Sequence, residues 1–198
     1  MTRVVILVFD GVEELDALGP YEVFSVAKAA GADLEVRLVT LDEVDEVRAA
    51  HGLVFHPQGR LDEGGDVVVV PGGGWSNRSE RGAWQLAEEG KVPRELARLR
   101  QRGTPILASV CTGGMLLAAA GVTDGRRAIT HAEAVDELAA SGARIVQARV
   151  VDDGDLVSAG GVTSGIDLAL HLVQRLFGPE VRAATEREIE YIGALVAT

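Results

Sequence analysis

Four short apolar runs, spaced through the first 110 positions, most constrain how this chain folds. They read RVVILVF at 3–9, LEVRLVT at 34–40, DVVVV at 66–70 and TPILASV at 104–110. Runs so rich in apolar, β-branched residues are typical of strands buried on both faces, as in a parallel sheet covered by helices. Segments with helical periodicity alternate with them, so the sequence predicts an α/β sandwich with a mostly parallel sheet.

Helical segments are predicted between and after these strands. One is expected to have Pro20 in its first turn and to stop at Gly31. Residues 145–159 predict two strands joined by a turn at Asp153–Gly154. Later helices are predicted over 112–120, 132–141, 163–177 and 179–196.

Length and charge set the broad class. The 198 residues are enough for one domain with a sizeable core, which we expect to span 1–198. A net charge of −11 argues against nucleic-acid binding, which needs a basic face. Nothing in the sequence is long enough to span a bilayer or reads as a signal peptide. A single cysteine forms no internal disulfide, so the default location is the cytoplasm.

Three loops of unusual composition should meet at one edge of the sheet. FDGVEELDALGP, PGGGWSN and CTGG each follow a predicted strand, and parallel sheets bind ligands at the carboxyl ends of their strands. Cys111, the only cysteine, joins a strand directly to a helix, as in the strained turn that presents the nucleophile of hydrolases. Gly113 and Gly114 would relieve the crowding, and the helix N-terminus would favour a thiolate. The alternative is an inert buried cysteine.

Two further features could serve this cysteine. Successive glycines at 72–74 can direct backbone N–H groups at one point, forming an oxyanion hole, or can simply make a tight connection. The first loop carries Glu13, Glu14 and Asp16. Burial and like charge would raise the pKa of a carboxyl group there and make it a general acid. Glu13 reads as a surface acid, and Asp16, which lies among apolar residues, is the candidate.

His131 and the tryptophans carry weaker signals. His131 lies 20 positions after Cys111 and could approach it, or could cap the helix predicted at 132–141. Trp75 and Trp84 are expected to pack at the rim of the site. The four histidines show no ligand spacing and one cysteine cannot build a zinc cluster, so no metal is predicted.

These motifs resemble those of the ThiJ/PfpI superfamily, and most closely its isonitrile hydratase-like branch. The resemblance runs from residue 3 to about 178. The branch pattern LDxxGPxEVF is matched by LDALGPYEVF at 15–24. Further matches are PGG at 71–73, SVCTG at 109–113, LLAAAGVTDGRRAITH at 116–131 and GGVTSGIDLALHLV at 160–173.

The resemblance implies a flavodoxin-like three-layer sandwich, usually a homodimer, that needs no cofactor. It implies that Cys111 is the nucleophile and that Asp16 is the catalytic carboxylate paired with it. The implied reaction is hydration or hydrolysis of a small uncharged electrophile, with an isonitrile as the type substrate and an N-substituted formamide as the product.

The same resemblance assigns the surroundings of the nucleophile. N–H groups of Gly73 and Thr112 match the oxyanion site. The residues themselves, rather than the resemblance, add Gly72 and His131 as substrate-binding candidates. Thr112 stands where the protease-like branch has the histidine of its dyad, which disfavours a peptidase. Ala132 stands where the hydratases have tryptophan. The branch also forms the ligand-sensing half of AraC-type regulators, but no DNA-binding helical pair is recognisable here.

Two other functions stay open on the sequence. In one, the protein is a redox or ligand sensor in which Cys111 oxidises reversibly to a sulfinic acid stabilised by Asp16. In the other, it is a glyoxalase or deglycase acting on 2-oxoaldehydes, with His131 as the proton carrier.

Overall fold

A seven-stranded sheet lies at the centre of the protein, in a computed structural model that describes residues 1–61, 64–102, 106–194 and 196–197. The strands are β1 Thr2–Leu7, β2 Leu34–Thr40, β3 Val47–Arg48, β4 Val54–Phe55, β5 Gly59–Arg60, β6 Val67–Val70, β7 Ile106–Val110, β8 Arg127–Ala128, β9 Arg144–Ile145, β10 Val150–Asp152 and β11 Leu156–Ala159. The helices are α1 Glu14–Ala29, α2 Ala83–Glu89, α3 Lys91–Gln101, α4 Gly113–Ala119, α5 Val135–Ala140, α6 Ser164–Phe177 and α7 Pro179–Glu188.

The strand order of the sheet confirms the predicted α/β fold. It runs β10-β11-β7-β6-β1-β2-β5, and only the β10–β11 pair is antiparallel. The four valines of β6 are fully buried in the middle of the sheet, as the unbroken apolar run indicated. Of the predicted strand 104–110, residues 106–110 form β7, and the first two lie outside the described residues.

Two groups of helices cover the sheet and complete the three layers. Helices α1, α6 and α7 pack against one another, and α2, α3 and α4 form a second group. Small residues allow α1 and α6 to approach closely. A Cβ at Gly19 would lie 3.3 Å from Ile166, and one at Gly165 would lie 3.2 Å from Pro20.

Helix α1 begins earlier than predicted. It starts at Glu14, so Pro20 lies inside the helix rather than in its first turn. An interior proline removes one backbone hydrogen bond and crowds the preceding turn, so it weakens this helix without ending it. The carboxylates of Glu14 and Asp16 in the first turn favour an earlier start because they complement the helix dipole. Asp16 therefore lies in the first turn of a helix rather than in a loop.

The C-terminal helix is shorter than the predicted range 179–196. Helix α7 ends at Glu188 and is followed by a turn in which the N–H of Tyr191 donates to the carbonyl of Glu186 at 3.1 Å. The N–H of Gly193 donates to Glu186 at 3.0 Å, and that of Ala194 donates to Asp167 at 2.6 Å. These bonds attach the segment after α7 to side chains of α6 and α7.

Two other predictions are confirmed in part. The hairpin is present as β10 and β11 with its turn at Asp153–Gly154, but Arg144–Ile145 pairs with β8 instead. The segment 132–141 begins as a short 3-10 helix over Ala132–Ala134 before α5.

Gly113 allows the start of α4 to contact the end of β6. A Cβ at this position would overlap the carbonyl oxygen of Val70. Gly113→Ala should therefore lower the free energy of unfolding by about 3 kcal/mol or more, measured by urea denaturation. Gly160→Ala is the matched control, since its Cβ would meet other atoms only at 3.5 Å or beyond. Equal stability of the two variants would contradict this account of the contact.

Candidate active site

Cys111 lies on a strained turn between β7 and α4. Its φ is +55°, in the left-handed region that L-residues avoid at a cost of about 1 kcal/mol. Its N–H donates to the carbonyl of Gly160 at 2.9 Å, and its carbonyl accepts the hydroxyl of Thr130 at 2.7 Å. These bonds hold the strained backbone from two sides, so the predicted elbow is confirmed.

Asp16 is the buried carboxyl group of the site. It is 0% exposed, and its Oδ2 accepts the N–H of Gly72 at 3.0 Å. Its Oδ1 has no hydrogen-bond partner within the described part of the chain. Burial raises the pKa of Asp16 to about 7, the bond from Gly72 opposes the rise, and the charge of Glu13 adds to it. The raised pKa predicted for this carboxyl group is confirmed.

The surroundings of Cys111 favour the neutral thiol, against the thiolate that the helix N-terminus alone predicts. Burial, followed by the negative charge of Asp16, raises the pKa of the thiol to about 12. Backbone N–H groups of Thr112 and Val162 favour the thiolate but do not offset these effects. Helix α4 has only seven residues, and its dipole acts on a sulfur with little water around it.

The glycines at 72–74 bind side chains of the protein itself. Gly72 donates to Asp16, as described, and the N–H of Gly73 donates to the hydroxyl of Thr112 at 3.0 Å. These two N–H groups therefore do not converge on one empty point, as an oxyanion hole would require. The N–H groups near the sulfur are those of Thr112 and Val162. Sequence reasoning missed Val162, whose only signal is the glycine pair just before it.

A pocket of about 340 Å³ opens at Cys111. All three predicted loops contribute to it, which confirms that they share one edge of the sheet. Asp16 and Gly72 are not part of its lining. The lining residues are Glu13, Gly73, Gly74, Trp75, Ser76, Asn77, Cys111, Thr112, His131, Glu133 and Val162.

His131 caps the following helix and also lines the pocket that contains Cys111. Its Nδ1 accepts the backbone N–H of Glu133 at 3.3 Å, so it caps the following 3-10 helix. Its ring also lines the pocket beside Cys111. A Cβ at Gly161 would lie 2.6 Å from the ring, so this glycine leaves space for it.

His51 forms an ion-pair cluster at the rim that spacing along the chain does not reveal. Its Nδ1 lies 2.7 Å from Glu14 and 3.7 Å from Glu13. These pairings raise the pKa of His51. Among the described residues, the three side chains place potential cation ligands within 4.8 Å of one another, although no metal was predicted here.

The fold and the site define an α/β sandwich protein with a cysteine on a strand-to-helix elbow. A sequence profile of the DJ-1/PfpI family matches residues 2–175. The chain belongs to this family. Within the described residues, no helix is both long enough and apolar enough to cross a bilayer.

Individual relatives agree with this assignment. The isonitrile hydratase of Pseudomonas putida is 37% identical over 190 residues, which cover 95% of this chain and 78% of that protein. The Parkinson disease protein 7 homolog of Danio rerio is 27% identical, covering 91% and 93% of the two chains. A ThiJ/PfpI family protein from Pseudomonas syringae superposes with a TM-score of 0.84 at 26% identity, covering 98% of this chain and 76% of that one.

Removing the charge of Asp16 should make Cys111 easier to ionise. Because that charge raises the pKa of the thiol, Asp16→Asn should lower this pKa and speed alkylation by iodoacetamide about tenfold at mildly alkaline pH. Cys111 is the only cysteine, so the rate reports this site alone. Glu14→Gln, which removes a rim carboxylate, is the control and should react like the wild type. A slower reaction of Asp16→Asn would contradict the assigned interaction.

Proposed function

We propose that the protein is a cysteine-dependent hydratase of small electrophiles that converts an isonitrile to an N-substituted formamide. One observation carries the proposal: a buried thiol beside a pocket is paired with a buried carboxyl group that has one oxygen without a partner. The similarity to an isonitrile hydratase over most of the chain supports this substrate.

In the first step, the sulfur of Cys111 bonds to the terminal carbon of the isonitrile. The thiol proton passes to Asp16, whose pKa of about 7 leaves it partly ionised near neutral pH. Asp16 then delivers the proton to the same carbon. The product is a thioimidate, R–N=CH–S–Cys111, in which the S–H bond has been replaced by a C–S and a C–H bond.

In the second step, water adds to the thioimidate carbon and the C–S bond breaks. Asp16 takes a proton from the water and returns it to the sulfur. The released R–N=CH–OH rearranges to the formamide R–NH–CHO, so one water is consumed for each isonitrile. N–H groups of Thr112 and Val162 support the departing sulfur, each such donor being worth about 3 kcal/mol of barrier.

Gly73 takes part in this proposal only through Thr112. Its N–H donates to the Thr112 hydroxyl, which can in turn donate its own hydrogen towards the pocket. The N–H of Gly72 holds Asp16 in place by its hydrogen bond to Oδ2, and His131 lines the pocket in which the substrate would bind. A homodimer and a cytoplasmic location stay predictions of the sequence.

A redox sensor is the second candidate, and the surroundings of the sulfur favour it. The N–H groups of Thr112 and Val162 could donate hydrogen bonds to the oxygens of an oxidised sulfur, and Oδ1 of Asp16 could accept one from the hydroxyl of a sulfinic acid. Oxidation of Cys111 by added hydrogen peroxide to a stable sulfinic acid, seen by mass spectrometry in the absence of any turnover, would select this function over the hydratase.

Turnover of an isonitrile to its formamide, followed by mass spectrometry, tests the hydratase directly. Cys111→Ala should abolish turnover, and Asp16→Asn should lower kcat by about 100-fold or more because proton transfer is lost. Glu14→Gln should keep wild-type activity. Methylglyoxal, assayed in parallel, tests the glyoxalase alternative. Isonitrile turnover that persists in Cys111→Ala would overturn the proposal.

The pH profile tests the role of Asp16. Only the ionised carboxylate can take the thiol proton, so kcat/KM should rise as the pH increases through about 7 and then level off. Asp16→Asn should lack this rise. A wild-type rate that falls as the pH increases through the same range would mean that the protonated acid is the active form, contrary to the proposed order of steps.

A further inference from the structure

We propose that Arg78 is a positioning residue that fixes one wall of the Cys111 pocket. This inference concerns access to the pocket, and it rests on the proposed function only where a substrate is involved. The wall loop, defined here as residues 74–79, supplies four of the pocket's lining residues, Gly74, Trp75, Ser76 and Asn77. Arg78 itself is not among the lining residues.

The guanidinium of Arg78 binds two aromatic rings and one carboxylate. It lies 3.7 Å from the ring centroid of Trp84 and 5.7 Å from that of Trp75. Its two terminal nitrogens donate to the two oxygens of Glu137 at 3.1 and 3.3 Å. Glu137 also accepts the ring N–H of Trp75 at 3.2 Å. A planar, two-pronged cation that stacks and binds a carboxylate at once requires arginine rather than lysine.

These contacts fasten the wall loop to two separate helices. Trp84 lies on α2, and Glu137 lies on α5. Trp75 and Trp84 also pack edge to face, with ring centroids 5.1 Å apart. Trp75, only 6% exposed, contacts both members of the Arg78–Glu137 ion pair, called here the Arg78–Glu137 clamp, and also lines the pocket. Its position, and with it the shape of the pocket wall, depends on the contacts of Arg78.

The backbone of the wall loop is strained at Arg78, as expected if the contacts of its side chain hold the loop in place. Arg78 has a φ of +50°, and its N–H closes a tight turn on the carbonyl of Trp75 at 3.0 Å. A non-glycine residue holds such a conformation only where its surroundings impose it. The ion pair with Glu137 is about two-fifths exposed, so it adds little to global stability. Loss of Arg78 should therefore loosen the pocket wall more than it destabilises the fold.

Access to the single cysteine measures this effect without any turnover. The probes are iodoacetamide, which is small, and fluorescein maleimide, which is bulky. In Arg78→Ala, the rate ratio of bulky to small reagent should rise about tenfold, because a loose wall admits the larger probe. Arg78→Lys should recover only part of the wild-type ratio. Arg94→Ala, an exposed arginine on α3, is the matched control and should leave the ratio unchanged.

Tryptophan fluorescence gives a second readout, since the only two tryptophans of the chain lie in this cluster. Arg78→Ala should shift emission to longer wavelength and increase quenching by acrylamide. Glu137→Gln keeps an oxygen for the Trp75 N–H but loses the charge that orients Arg78. It should change the alkylation ratio in the same direction, which keeps the proposal testable if Arg78→Ala folds poorly.

Where isonitrile turnover is observed, Arg78→Ala should raise KM about tenfold and leave kcat within about twofold. An alkylation ratio and an emission spectrum like those of Arg94→Ala would overturn the proposal. So would a lower thermal midpoint with both readouts unchanged, since that describes a purely structural residue. Absence of wild-type turnover would instead refute the hydratase, and alkylation and fluorescence would still decide the role of Arg78.

Discussion

The contact between the loop after β6 and the elbow after β7 is the constraint on which the site depends. Gly113 packs against the carbonyl of Val70, and Gly72 has no room for a Cβ beside Thr112. The same approach directs the N–H of Gly72 to Asp16 and that of Gly73 to the Thr112 hydroxyl. One backbone contact thereby sets the positions of Cys111, Asp16 and the surrounding N–H groups relative to one another.

The site lowers the free energy of unfolding, and the buried sheet around it offsets this loss. Asp16 has a pKa of 3.8 in an unfolded chain and about 7 here, so its contribution to stability is present below about pH 4 and is lost as the pH rises through 7. The loss amounts to about 4 kcal/mol at alkaline pH. The backbone strain at Cys111 adds to it. The fully buried valines of β6 offset such terms through the hydrophobic effect.

Features that depend on short stretches of sequence, such as the buried strands and the turn at Cys111, were predicted correctly. The apolar runs indicated a parallel sheet, and the missing loop around Cys111 indicated the elbow, because both depend on neighbouring residues. The donor Val162 and the Arg78–Glu137 clamp join segments far apart in the chain, and no spacing rule connects them. The thiolate was mispredicted for a related reason: desolvation depends on everything packed around the sulfur, whereas the helix N-terminus is visible in the sequence.

The capping bond of His131 also decides which ring nitrogen of the neutral imidazole carries the hydrogen. Because Nδ1 accepts the N–H of Glu133, the neutral ring must bear its hydrogen on Nε2. A molecule that reached Nε2 would therefore meet a hydrogen-bond donor, and the lone pair on Nδ1 is already engaged by Glu133. Such a tautomer suits orientation of a substrate's lone pair. It counts against the proton-carrying role that a glyoxalase would require of this residue.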